Sequence, residues 1–473
     1  MRFERAVGVL LLAFLLLGAN LGLAAAADDA VGMATPGASP VVKQKVKASI
    51  AQAEKGLAAL EGQLAKPGLA EAGKAKLNKE KASLAAVLET LKGTKAKEVG
   101  YLGLKGAPLS GASIYIWGLL WAIWVGWIFS TVGAFGGIMA GVGHITIFGL
   151  GDYAKSFGKS MPINKLITDS TRVSNQWLVG LSALISGVNY YKLGRLVLPL
   201  GVCLGIGSVA ASYSIPVLTA GKISFKMYMG YFGLCVLVLG CFLAYKMTPA
   251  GARGQQKAKA AAKAFEEAKG ATTADQGVKV IQGSYGGMIV ALVVTLGGAL
   301  WGNLVHSMQW YALIAVAAGV ILGFVIAAGE VRFTFYGVEF GFKGYIPIIG
   351  GLLIAALASF LGVGGGFLFV PFLTAVAGLP MFLVAGTSGL AVLVGMIVSI
   401  FTYMVAKQVP VEWGFIGMEL IGIFIGSMVG PRTQKYLSDK WLNILFIVLA
   451  ALVGVRYTLK GFFPEIYAAT GLP

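Results

Sequence analysis

The sequence predicts an all-α polytopic membrane protein: about ten transmembrane helices in two repeats with broken Gly-rich helices, plus an N-terminal helical hairpin. Three observations lead there. Of the 473 residues 57% are hydrophobic and only 12% charged, with a mean hydropathy of +0.80, outside the range of soluble domains. Apolar runs long enough to cross a hydrocarbon core of about 30 Å recur along the chain. A glycine-rich interruption of such a run occurs twice, at matching places. The net charge of +18 does not indicate nucleic acid, because the basic residues are dispersed over the N-terminal segment and the loops, without an aromatic-interleaved patch. We read them as topology signals and expect a lipid bilayer, not nucleic acid, as the partner.

Residues 1–27, "MRFERAVGVLLLAFLLLGANLGLAAAA", combine two arginines, an apolar stretch and an Ala-x-Ala choice before Asp28, the layout of a signal peptide. An uncleaved first helix is the alternative; either exports the next segment. Residues 28–110 are rich in Ala, Lys and Glu and divided at Lys66-Pro67-Gly68. Ile50, Leu57, Leu60 and Leu64 before that break, and Leu77, Leu84, Leu88 and Leu91 after it, recur at helical spacing, which predicts an exported Lys-rich hairpin with a narrow apolar seam.

Apolar runs follow at about 112–150, 173–190, 194–213 and 227–247, the first transmembrane repeat (111–247). The loop 248–285 belongs on the cytoplasmic side, since the stretch around it carries seven basic against three acidic residues. Runs at 286–306 and 310–329 form a tight membrane hairpin within 286–344. Runs at 345–378, 382–404, 413–430 and 440–459 form the second repeat (345–462), followed by a C-terminal tail, 463–473. The runs at 112–150 and 345–378 are too long for one helix and short for two.

"FSTVGAFGGIMAG" from Phe129 aligns without gaps on "ASFLGVGGGFLFV" from Ala358, pairing Ser130 with Ser359, Gly133 with Gly362, Gly136 with Gly365 and Gly137 with Gly366. Downstream, Asp169-Ser170 and Thr387-Ser388 stand seven and eight residues beyond Pro162 and Pro380. A helix interrupted at membrane depth exposes backbone groups that only protein or an aqueous cavity can satisfy. Glycine permits the turn and leaves the backbone open to a ligand, and paired broken helices in two halves point to a midplane substrate site. Helix packing on small residues is the competing explanation. We expect non-helical breaks at 133–137 and 362–366, facing each other.

"GVGGGFLFVPFLTAVAGLPMFLVAGTSGLAVLVG", with "PRTQKYLSDKWLNILFIVLAALVGVRYTLKG" downstream, resembles the TauE/SafE sulfite-exporter family, also called the toluene sulfonate uptake permease family. The resemblance covers about 345–461 closely and 112–247 loosely. It rests on Gly362, Gly364, Gly365 and Gly366, then Pro371, then Ala385, Thr387 and Ser388. It implies a secondary transporter, an exporter of sulfite, sulfonates or related oxyanions by alternating access, driven by an ion gradient such as a coupling proton or cation, in the cytoplasmic membrane. The first copy departs from the pattern, reading Gly-Ala-Phe-Gly-Gly and "TDSTRVSNQ". The exported hairpin and the 286–329 hairpin are additions to the family plan.

The substrate-binding candidates are Gly133, Gly136, Gly137, Ser170, Thr171, Arg172, Gly362, Gly364, Gly365, Gly366, Pro371, Thr387 and Ser388. Arg172 offers a donor fork to an oxyanion, and Ser170, Thr171 and Ser388 offer neutral donors. Asp169 or Ser170 as a helix cap, with Arg172 at the lipid headgroups, is the alternative. Trp117, Trp121, Trp124 and Trp127 share one helical face suited to interfacial anchoring or packing. Asn303 and His306 offer a proton relay or a simple interface position, and Glu330 with Arg332 a boundary pair.

No metal site and no cofactor are expected, since only His144 and His306 exist and lie far apart. Cys203, Cys235 and Cys241 all fall in apolar runs and offer no exported disulfide. No Gly-x4-Gly-Lys-Ser/Thr segment supports ATP-driven pumping. A membrane-embedded enzyme would need a nucleophile and base within reach, and a sensor anchored by its spans would not need a duplicated broken helix. The carrier reading leads, and the chain is not expected to be an enzyme.

Overall fold

In the computed structural model residues 30–470 are described, except 68, 95–96, 133–135, 193, 195, 250–277, 284, 336–337, 367, 370–371, 374–378, 380 and 434–438. The expected signal segment 1–27, most of the basic loop, Gly133 and Pro371 thus lie outside the described residues.

Two helices, α1 (Pro40–Leu64) and α2 (Glu71–Leu91), form an antiparallel hairpin. Ser39 caps α1 by accepting from the Val42 N–H, with Pro40 in the first turn, a position where its missing N–H costs nothing. Leu60 and Leu91 are buried, and Ile50, Leu84 and Leu88 pack on the core. Lys81–Glu61 and Lys92–Glu54 ion pairs, at 2.8 and 3.0 Å, cross the hairpin at its wet edge. The hairpin sits on the helix bundle: Ser49 Oγ accepts the Ile163 N–H at 3.1 Å.

The bundle begins with α3 (Ser113–Val132), the short α4 (Gly136–Val142) extended by a π-helical turn Gly143–Ile147, and α5 (Leu150–Ser156). Next come α6 (Pro162–Lys192), α7 (Leu198–Thr219) and α8 (Phe225–Lys246). After the basic loop, α9 (Tyr285–Leu304) and α10 (Gln309–Ile326) make a tight hairpin packed on α7. Finally α11 (Tyr345–Leu361), α12 (Met381–Phe401, continued by a π-helical turn Thr402–Ala406), α13 (Trp413–Thr433), α14 (Asp439–Phe462) and the short α15 (Pro464–Ala469) complete the chain. Among the described residues seven helices are long and apolar enough to cross a membrane: α3, α7, α8, α9, α10, α12 and α13. Many lipid-sized side chains face outward on them, such as Ile314, Val325 and Val293, as expected for a bilayer-facing surface.

The fold is not purely helical. β1 (Lys279–Gln282), β2 (Glu330–Phe335) and β3 (Val338–Lys343) form an antiparallel sheet in that order at the foot of the α9–α10 hairpin. Alternation explains it: Val331, Phe333 and Phe335 point inward while Glu330 and Arg332 point out, the period of a half-buried strand. Glu330 and Arg332 are thus neighbours on one strand face, 2.9 Å apart.

Extensive helix contacts join α3 with α13, α8 with α14, α7 with α11, α9 with α10 and α6 with α12. Small residues make them possible. Gly422, Gly426 and Gly430, four residues apart on α13, lie directly against the backbone or Ser130 of α3, so that a Cβ on Gly426 would come within 2.0 Å of the Ile123 carbonyl oxygen. These contacts also give helix directions. Gly118 meets Phe415 and Gly430 meets Ser130, so α3 and α13 run parallel; Gly207 meets Ile348 and Ser212 bonds Ser359, so α7 and α11 do too. In contrast Gly230 meets Phe462 while Gly240 meets Ala450, making α8 and α14 antiparallel, as are α6 and α12, through Trp177 on Met404 and Gly389 on Gly187. The tryptophans serve packing: Trp127 Nε1 donates to Thr433 Oγ1 at 2.7 Å and Trp121 Nε1 to the Met139 carbonyl at 3.3 Å, whereas Trp117 is exposed.

Candidate functional site: a buried polar helix at a glycine break

Helix α6 carries the site. It starts at Pro162, well before the apolar run that begins near Val173, so Asp169, Ser170, Thr171, Arg172, Ser174 and Asn175 do not head the helix; they lie within it, all buried. This corrects both the helix-cap and the headgroup expectation. Arg172, fully buried, donates from Nη1 to Asp169 Oδ1 at 2.8 Å and from Nη2 to Thr219 Oγ1 and the Ser359 carbonyl, each at 3.3 Å. Asp169 Oδ2 accepts the Gly221 N–H at 2.6 Å. The guanidinium lies over the Phe360 and Tyr403 rings, 5.3 and 5.0 Å from their centroids, a stacking geometry that favours arginine.

Helix α11 ends against this pair. The backbone is non-helical from Gly362 through Gly365, with Gly362 and Gly364 at φ of 70° and 68°, where a side chain would be strained. Tyr228 Oη donates to the Leu361 carbonyl at 3.0 Å, satisfying one acceptor freed by the break. Gly362 lies on the Arg172 backbone and Gly364 on Val179. The second expected break is therefore present but shorter, since Gly366 is helical. In the first copy Gly136 and Gly137 open α4 and are helical, which corrects that part of the expected break; 133–135 lie outside the described residues. The two segments do meet: a Cβ on Gly137 would fall 1.7 Å from the Val363 carbonyl oxygen.

The remaining candidates separate. Ser170 Oγ donates to the Pro410 carbonyl at 2.6 Å and lies 2.7 Å from Tyr101 Oη, while Thr171 Oγ1 donates back to the Ile167 carbonyl at 2.8 Å. Thr387 Oγ1 accepts the Val197 N–H at 3.1 Å, capping the start of α7. Ser388 and Gly366 line a small cleft with Phe129, Ser130, Ser186 and Tyr190. Ser186 stands fourteen residues beyond Arg172 on α6, about 21 Å at 1.5 Å per residue. Arg172 and the Ser388 cleft thus lie about 21 Å apart along one helix.

Above Arg172 the turn Tyr101–Gly103 plugs the bundle. Tyr101 is buried, and burial pushes its phenol up to about 12, so it stays neutral beside Ser170 and Ser174. Leu102, in the left-handed region at φ of 60°, donates its N–H to Glu412 Oε2 at 2.8 Å; burial raises the Glu412 carboxyl above its ordinary range.

Three polar atoms around the guanidinium make no hydrogen bond among the described residues: Arg172 Nε, Gln176 Oε1 one turn on, and Tyr403 Oη. Buried polar atoms are rarely left so. Sequence reasoning missed Gln176, one turn from Arg172 on the same helix, and Tyr403, Tyr228 and Tyr101, which come from helices or turns remote in sequence. It also missed His144 and Glu419, buried together at 2.9 Å; only the rarity of charge within apolar runs could have flagged them. Among the described residues no three His, Cys, Asp or Glu side chains cluster as metal ligands.

The model of a known family, Sulfite exporter TauE/SafE, matches residues 287–457, and no curated protein or solved structure matches the chain. The match starts inside α9 and so spans the α9–α10 hairpin as well as the second repeat. With its apolar outward-facing helices the chain is a multi-pass membrane protein, and its stretch from α9 into α14 is similar to the sulfite exporter TauE/SafE family.

Proposed function

We propose that the protein is a secondary carrier of small sulfur oxyanions, an exporter of sulfite, sulfonates or related anions, that works by alternating access around Arg172. The family match supports the substrate class. The single observation that carries the site is a fully buried arginine, stacked between two rings at a glycine break, with unpartnered polar atoms of its own and of Gln176 and Tyr403 around it. Such an arrangement suits an anion that enters, accepts those hydrogen bonds and leaves.

Ten crossings fit this reading, the seven apolar helices together with α6, α11 and α14. Exchanging α3 with α11, α6 with α12, α7 with α13 and α8 with α14 turns the contact α3–α13 into α11–α7 and α6–α13 into α12–α7, and both members of each pair occur. The helices exchanged with each other across the centre, α6 with α12 and α8 with α14, are antiparallel, which supports a two-fold axis in the membrane plane and repeats of inverted topology. The breaks then answer a mechanical need: a non-helical turn at depth puts backbone beside the anion and gives the two halves a place to hinge. Tyr101 closes the site on the hairpin side, taken as extracytoplasmic, while the Ser388 cleft is the route on the other side of a cytoplasmic membrane.

Flux of sulfite, a sulfonate and thiosulfate into proteoliposomes, each tested against the others as competitor, is the test. Saturable flux of at least one with mutual competition is expected. No protein-dependent flux of any of the three would overturn the reading.

A further inference from the structure

His144 and Glu419 form a second charged cluster that the anion site does not use. Each is 1% exposed. His144 lies in the π-helical turn after α4 and Glu419 on α13, elements from the two halves. Single π turns are costly irregularities that concentrate at functional positions, and this one opens at Gly143, where a Cβ would lie 2.3 Å from Trp121 Nε1. The ring nitrogens of His144 face two acceptors: Nε2 lies 2.9 Å from Glu419 Oε2, and Nδ1 meets Asn175 Oδ1. A neutral imidazole carries one N–H and can satisfy only one acceptor. With the Asn175 carbonyl oxygen turned to Nδ1, both contacts are made only if the pair holds one proton beyond a neutral histidine and a carboxylate.

We propose that His144 and Glu419 are the proton-coupling site of the carrier, loading one proton together with each anion, so that export runs on the anion's own outward gradient and an inward proton gradient opposes it; this rests on the anion-carrier reading above. Charge arithmetic gives the direction of coupling. Asp169 and Arg172 cancel each other, so the buried core carries one negative charge when the pair is unloaded and none when it is loaded. An anion entering beside Arg172 therefore meets less repulsion after the proton has arrived, and each ligand favours the other. Loading adds one proton to a neutral imidazole beside a carboxylate, and release returns that proton to water across the membrane; no electrons move and no other bond changes. Asn175 connects the two sites, standing one turn beyond Arg172 on α6 with its oxygen on His144.

The surroundings are otherwise uncharged at close range. Phe148 and Phe415 flank the imidazole, with centroids at 6.1 and 5.8 Å. The titratable groups that face the cluster are Tyr101 and Glu412 from the plug and the start of α13, Tyr228 from α8 beside Asn175, and Tyr457 from α14, whose hydroxyl bonds Thr146 of the same π turn. Ionisable residues in such a setting are retained for transport or coupling far more readily than for stability.

The experiment uses full-length protein in proteoliposomes, methanesulfonate as an anion that carries no proton itself, and an entrapped pH dye. Wild-type protein should move about one proton with each sulfonate in the same direction, and an inward pH gradient should drive accumulation. In Glu419→Gln and His144→Gln the protons moved per sulfonate should fall at least tenfold, and residual flux should no longer follow the gradient. A purely structural role would lower flux and leave that ratio unchanged. Sulfonate flux by wild-type protein without proton movement, or an unchanged ratio in the variants, overturns the proton site alone. Absence of any anion flux by wild-type protein overturns the carrier reading with it.

Discussion

Removing Arg172 in two ways separates its structural from its functional part. In Arg172→Met the chain keeps a side chain of similar length and loses the charge, leaving the Asp169 carboxylate buried with one backbone partner, the Gly221 N–H at 2.6 Å. Breaking one half of a buried ion pair costs about 3–5 kcal/mol, roughly a 150- to 5,000-fold change in the folding equilibrium. Asp169→Asn combined with Arg172→Met removes both charges, and neutral replacement of a buried pair is often close to neutral for stability. The double variant should therefore recover most of the thermal stability of the detergent-solubilised protein. It should still transport nothing, because no guanidinium remains for the anion. Thermal unfolding and flux are measured on the same preparations. Wild-type flux by the stable double variant would refute the reasoning, since the pair would then be scaffold only.

Gly137→Ala tests the contact between the two glycine segments: the new Cβ would fall 1.7 Å from the Val363 carbonyl oxygen, an immovable neighbour, so α4 and the break must part; transport is expected to fall by at least tenfold in protein that still inserts, and normal flux would show that the contact is incidental. The Glu412 contact predicts a pH effect on the plug. Docking the turn brings the Leu102 N–H to 2.8 Å, and burial there raises the carboxyl above its ordinary 4.5, so the docked state holds more protons. The contribution to docking is complete below the ordinary value and is lost as pH rises through the raised one. Hydrogen exchange at 100–104 should accordingly quicken as pH rises through that window in the wild type, and Glu412→Gln should flatten the profile; an unchanged profile in the variant would exclude Glu412 as the titrating group.

Composition and hydropathy alone determine that this chain lives in a membrane, because no soluble fold can expose Ile314, Val293 and their neighbours. Spacing placed the hairpin seam at Leu60 and Leu91, and the glycine pattern placed the turn at 362–365, since left-handed backbone is open to glycine almost alone. Arg172 was legible as a charge where charge is expensive. Its setting was not: polar periodicity cannot tell a buried helix from one whose end is wet, so α6 was read as starting some ten residues late. Strand alternation at 330–343 was hidden behind the longer apolar runs. Only the tertiary structure brought Tyr403 and Ser359 to the guanidinium, and Glu419 to His144 across 275 residues. Such pairings arise from how two halves pack, and a local sequence pattern carries information about a helix's own faces but none about which distant helix meets them.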